Sequence, residues 1–159
     1  MIFLTVGTHE QPFNRLIKEV DELVKDGIIH ERVFMQIGYS TYVPEYCEFS
    51  KFLSYKSMNK FMNQASVVIC HGGPATFMKS LSLQKRTIVV PRLKKFDEHV
   101  NNHQLAFTKR VIKEGYPLEL VTNITDLKPL LEETKIDDVT LKSHNGIFVD
   151  NLILNIKKM

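Results

Sequence analysis

An open, mostly parallel α/β sheet of Rossmann-like type, with helices on both faces, is the fold class this sequence predicts, and three observations carry it. Short apolar runs alternate with helix-periodic segments, as where Met1 to Val6 is followed by Leu16, Ile17, Val20, Leu23 and Val24 on one helical face. The runs are apolar at almost every residue rather than at every second one, the pattern of strands buried on both faces of a parallel sheet. The polar, glycine-bearing stretches fall where strands give way to helices, which is where open α/β sheets hold ligands.

Taken in order, Met1 to Val6 reads as a strand that ends at Gly7, and Gly7 to Phe13 as a polar turn opening a helix that Gly27 closes. Arg32 to Gly38 reads as a second strand and Tyr39 to Pro44 as a loop. Glu45 to Ser54 is ambiguous, with Phe49, Phe52 and Leu53 suggesting a third strand. Ser57 is the expected N-cap of a helix through Gln64 that packs Met58, Phe61 and Met62 into the core. Val67 to Cys70 is a fourth strand, followed by a helix from Pro74 to about Gln84. Arg86 to Pro91 is a fifth strand, and Arg92 to Gln104 a charged loop that runs into a helix carrying Leu105, Phe107 and Val111. Leu118 to Val121 makes a last strand, Thr125 caps a helix through about Glu133, and Ile147 to Ile156 is a final amphipathic helix.

The 159 residues suit a single domain, 1–159, and a formal net charge of +3 gives no reason to expect a nucleic acid partner. Cys47 and Cys70 lack metal-type spacing and suit a reducing compartment rather than a disulfide framework. No run approaches the ~18 apolar residues of a membrane helix, and Met1 leads straight into a strand rather than a charged leader. Membrane association is therefore expected to be peripheral or through a partner.

Three loops at expected strand ends hold the unusual polar residues: Gly7 to Gln11, His71 to Thr76, and Arg92 to Gln104. In the second, an apolar strand, Gly72-Gly73 and a helix start with Pro74 and Thr76 make a candidate phosphate cradle. Pro at the first helical position costs no hydrogen bond, and the remaining free amides favour an anion. An ordinary βα turn has the same residues. The dinucleotide pattern Gly-x-Gly-x-x-Gly is absent and no Gly-Lys-Ser/Thr follows the first loop, so nicotinamide cofactors and ATP-type phosphate transfer are disfavoured. His99 and His103 lie one helical turn apart with Glu98 alongside. They read as hydrogen-bonding groups for a polar ligand, as a zinc pair lacking its third ligand, or as incidental surface histidines. Gln104 can both donate and accept, as a reader of sugar hydroxyls must. Arg92, Lys94 and Lys95 form a small basic cluster, either solvated or facing an anion.

Together, Thr5-Val6-Gly7-Thr8-His9-Glu10-Gln11-Pro12-Phe13, then His71-Gly72-Gly73-Pro74-Ala75-Thr76, then Val90-Pro91-Arg92 with Glu98-His99 and His103-Gln104 resemble the C-terminal donor-binding domain of family 28 glycosyltransferases. The likeness is in particular to the short bacterial exopolysaccharide and capsule subunits of the two-protein type. These are similar to the donor-binding subunit of the split N-acetylglucosaminyltransferase of asparagine-linked glycosylation. The resemblance implies one half of a GT-B fold, paired with a membrane-anchored acceptor-binding subunit at the cytoplasmic face of the cell membrane. It implies transfer of a hexose from a UDP-sugar donor to a lipid-linked saccharide acceptor, with inversion, no metal and no cofactor.

By the same resemblance Gly7 and Thr8 face the diphosphate, and His71, Gly72, Gly73 and Thr76 form its cradle. Glu98, His99, His103 and Gln104 meet the donor sugar. His9 and Glu98 are the local candidates for the base that deprotonates the acceptor, which the family otherwise places on the acceptor-binding half. One position departs from the pattern. The family's acidic residue three places after the cradle threonine, which receives the ribose hydroxyls, is Lys79 here, and a lysine only donates. A non-catalytic partner subunit that keeps the fold is the alternative expectation.

Overall fold

The computed structural model describes residues 1–132. Six strands form one sheet: β1 (Ile2–Thr5), β2 (Val33–Gln36), β3 (Glu48–Ser50), β4 (Val67–Cys70), β5 (Arg86–Val89) and β6 (Leu118–Leu120). Every pairing among them is parallel, in the order β3-β2-β1-β4-β5-β6. The chain leaves β1 toward one edge and leaves β4 toward the other, so the order reverses between these two neighbours. A crevice opens at their carboxyl ends for that reason.

The helices are α1 (Asn14–Lys25), α2 (Tyr55–Gln64), α3 (Pro74–Ser82), α4 (His103–Lys113) and α5 (Leu127–Glu132). Alternation along each strand sends Leu4, Ile69 and Ile88 to one face, against Leu16, Ile17 and Val20 of α1 and Leu127 and Leu131 of α5. Phe3, Val68 and Val89 point the other way, onto Met62 of α2, Phe77 and Leu81 of α3 and Val111 of α4. Each large side chain so buried contributes about 1.5–3 kcal/mol. The expected sheet with helices on both faces is thus present, and its described strands are wholly parallel.

Several boundaries differ from the expectation for local reasons. The third strand is only Glu48–Ser50, and Phe52 lies beyond it, half exposed and edge-on to Tyr39. Ser54, not Ser57, caps α2, because its hydroxyl accepts from the Ser57 amide and the helix starts at Tyr55. The helix after the glycine turn stops at Ser82, where Gln84 adopts a left-handed φ of 58°. The last described helix is preceded by a 3₁₀ turn over Ile124–Asp126, whose cap is Asn123 rather than Thr125. The helix expected over Ile147 to Ile156 lies outside the described residues.

Candidate functional site

Three loops converge above the crevice between β1 and β4, and each is held by named contacts. The first begins at Gly7, with a φ of 74°. Gln36, at the end of β2, grips it from both sides: its oxygen accepts from the Gly7 amide and the Thr5 hydroxyl, while its nitrogen donates to the Gly7 and Lys51 carbonyls. A buried amide with every group engaged fixes the backbone on which Thr8 and His9 ride. Thr8 is exposed and His9 half-buried.

The second loop is the glycine turn. Gly73 caps α3 without any side-chain hydrogen bond, Pro74 occupies the first turn and Thr76 sits half-buried beside it. The amide end of α3, with its positive dipole, therefore faces the crevice without a side-chain partner. A glycine, lacking a Cβ, leaves space beside the backbone that a ligand could enter. On their Cβ side the chain itself takes that space: a Cβ on Gly73 would stand 2.3 Å from His71 Nε2, one on Gly7 2.6 Å from the same atom, and one on Gly72 2.6 Å from Gln104 Cβ. The His71 imidazole is thus clasped between the first and second loops. Burial, then the nearby Arg92 charge, lowers its pKa from 6.5 to about 4, so it is neutral at physiological pH. Its Nδ1 is buried with no hydrogen-bond partner.

The third loop follows β5 and overturns two expectations. Arg92 does not share a basic surface with Lys94 and Lys95. It is wholly buried, over the Phe13 ring, and donates to the carbonyls of Val6, Gln11 and Glu98, while both lysines are exposed. Burial pulls its pKa down to about 10, and Glu98 acts in the opposite direction. Glu98 turns inward as well. Its carboxylate takes a fork from Arg15, at 2.8 and 3.0 Å, and the Leu93 amide at 3.0 Å. An anion so engaged is an anchor for the loop, not a base open to an acceptor hydroxyl. Gln104 is also committed in part: its oxygen accepts from the Gly72 and Arg92 amides, joining the second and third loops.

What the third loop does present to the crevice is His99, whose ring stacks on His9 with centroids 4.4 Å apart and planes 14° apart. Burial, then His9, Arg92 and His103, lower the His99 pKa. His103 is exposed at the start of α4. Lys79 is exposed one turn along α3 from Thr76. The structure therefore brings together Gly7, His9, His71, Gly72, Gly73, His99 and Gln104, places half-buried Thr76 at their edge and Thr8 and His103 toward solvent, and withdraws Glu98. Among the described residues no three His, Cys, Asp or Glu side chains converge as metal ligands. A hollow of about 540 Å³, lined by Arg15, Phe96, Asn102 and Asn123 among others, opens on the far flank of the third loop and includes none of the three glycines. Gln36 is not among the residues that the sequence singles out, although a glutamine closing an otherwise apolar strand is a signal for a buried, hydrogen-bonded amide, and the burial of Arg92 follows from carbonyls remote in sequence.

A doubly wound sheet with a helix start at its switch point is a frame shared by many ligand-binding domains, and comparison with known proteins narrows the class. Residues 1–145 match the model of the glycosyltransferase family 28 C-terminal domain, and the chain belongs to that family. It is 35% identical over 124 residues to the human UDP-N-acetylglucosamine transferase subunit ALG13 and 31% identical over 123 residues to the mouse protein, alignments that cover 72% of the chain. The chain spans about a tenth of the length of these relatives. Its fold matches that of the glycotransferase of kitacinnamycin, at a TM-score of 0.63 and 17% identity, over 99% of this chain and 39% of that one. It also matches Acinetobacter baumannii MurG, at 0.55 and 18% identity, over 99% of this chain and 49% of that one. The fold is accordingly one half of a GT-B architecture. Among the described residues no helix is long and apolar enough to cross a membrane.

Proposed function

We propose that this chain is the donor-binding and catalytic subunit of a two-protein, inverting glycosyltransferase. It moves a hexose from a UDP-sugar to a lipid-linked saccharide in surface polysaccharide synthesis. Its acceptor-binding counterpart is a membrane-anchored subunit that brings it to the cytoplasmic face of the membrane. The observation that carries this reading is the convergence of three interlocked loops on the α3 N-terminus in a family 28 chain. Support for a partner comes from the name of the ALG13 relatives, which are transferase subunits.

In this reading the diphosphate lies against Gly7, Thr8, Gly72, Gly73 and Thr76, with the helix dipole opposing the charge that grows on UDP as it leaves. His71 keeps the first and second loops in register, uncharged. His99, His103 and the free amide nitrogen of Gln104 meet the sugar, and His9 is the base on this subunit. Glu98 holds the third loop through Arg15. Co-expression with the acceptor-binding subunit, followed by transfer of labelled sugar from UDP-sugar, tests the proposal: Thr76→Ala is expected to lower transfer on the order of tenfold or more. Undiminished transfer, or none in the wild type, assigns the chain the role of a scaffold.

A further inference from the structure

The proposed function makes His9 a base without saying which of its nitrogens takes the proton, and a contact in the first loop decides that. Gln11 Nε2 donates to the Asp97 carbonyl at 3.1 Å, and Gln11 Oε1 lies 2.8 Å from His9 Nε2. A carbonyl only accepts, so the Asp97 contact requires the amide nitrogen on that side and turns the amide oxygen toward His9. That oxygen also only accepts. The hydrogen between them must therefore belong to His9 Nε2, which leaves the lone pair of the neutral ring on Nδ1. No hydrogen bond from a described residue occupies that nitrogen.

Buried contacts brace the loops on either side of this pair. Arg92 donates to the carbonyls of both Gln11 and Glu98, so one buried guanidinium fixes the backbone on either side of the Gln11 to Asp97 contact. His99 stacks flat on the His9 ring, and its own Nδ1 accepts from the Asn101 amide at 3.4 Å. His99 and His71 lie near His9, with Arg92 and His103 acting on His99 in turn; of the nearby carboxylates, that of Glu10, next in the chain, is exposed, and that of Glu98 is engaged by Arg15.

We infer that Gln11 is a positioning residue: it sets His9 as the Nε2–H tautomer and so makes Nδ1 the proton-accepting atom of this subunit. The inference rests on the donor-subunit reading only for the proton that is taken. In transfer, the acceptor oxygen bonds to the anomeric carbon, the bond from that carbon to the diphosphate oxygen breaks with its electron pair leaving on UDP, and the hydroxyl proton passes to His9 Nδ1. The resulting imidazolium keeps its Nε2–H on Gln11.

The test is a long-range proton–nitrogen correlation spectrum of the nitrogen-15-labelled chain at about pH 8, where an ordinary imidazole is neutral. Wild type is expected to show His9 as Nε2–H alone. Gln11→Leu is expected to average two tautomers and, with the acceptor-binding subunit, to lower kcat on the order of tenfold at unchanged KM for the UDP-sugar. Gln11→Glu is expected to restore Nε2–H, move the His9 titration to higher pH and shift the acid limb of the kcat profile with it. An Nδ1–H tautomer in wild type, or His9 spectra and titrations identical in all three proteins, overturns the inference without recourse to activity. The expected spectra beside a complex that transfers no sugar uphold the placement of the proton and instead refute the donor-subunit reading.

Discussion

Glu98 separates an architectural third loop from a catalytic one. Its carboxylate receives three donors, Arg15 Nε, Arg15 Nη2 and the Leu93 amide, and both it and Arg15 are largely buried, at 3% and 15% side-chain exposure. Glu98→Gln keeps the shape but offers one oxygen in place of two and sets an amide NH₂ against the guanidinium. One or two of the three bonds survive, and Arg15 keeps its charge with no anion beside it. Breaking one partner of such a pair costs about 3 kcal/mol, with the lost hydrogen bonds included. At about 2–4 °C per kcal/mol for a chain of this size, the midpoint of thermal unfolding followed by circular dichroism should fall by about 6–12 °C. UDP-sugar affinity should weaken in step, as the third loop loosens. A midpoint within about 2 °C of wild type, together with complete loss of sugar transfer, would refute the architectural role and restore Glu98 as a base.

Three other perturbations probe the remaining supports. His71 has a folded pKa of about 4 against an ordinary 6.5, so on acidification the unfolded chain takes up this proton first. The stability from its neutral ring is full above about pH 6.5, is lost as pH falls toward about 4, and amounts to about 3 kcal/mol; urea midpoints across this window should slope more steeply for wild type than for His71→Asn, and parallel curves would contradict the assignment. Gln36→Leu removes four hydrogen bonds around Gly7, and is expected to cost about 3–4 kcal/mol in urea unfolding and to weaken UDP binding. Lys79→Glu supplies the acceptor of ribose hydroxyls that the family pattern calls for, and should tighten UDP roughly tenfold while leaving pyrophosphate no tighter. Equal gains for both ligands would mean that the ribose lies elsewhere.

The backbone frame was legible because it follows from local pattern. Fully apolar runs such as Val67 to Cys70 announce strands of a parallel sheet, and Gly72-Gly73-Pro74 announces a helix start by the conformations those residues allow. The direction in which loop side chains turn was not legible, because that is decided by residues remote in sequence. Arg92 stands beside two exposed lysines in the chain, yet it is drawn inward by carbonyls at Val6 and Gln11. Glu98 follows exposed Asp97, yet it finds Arg15 on α1. The cap of α2 moved from Ser57 to Ser54 because both serines fit the local rule and the hydrogen bond between Ser54 Oγ and the Ser57 amide chooses one.

The central claim is that the glycine turn, clasped to the first loop through His71, receives the diphosphate of a nucleotide sugar. Titration calorimetry of the chain with UDP, with a chelator present, addresses it most directly. Wild type is expected to bind, and Gly73→Val, whose Cβ would stand 2.3 Å from His71 Nε2, is expected to lose binding together with Thr76→Ala in the same chain. Absence of UDP binding by folded wild type, or equal binding by the double variant, would contradict the claim.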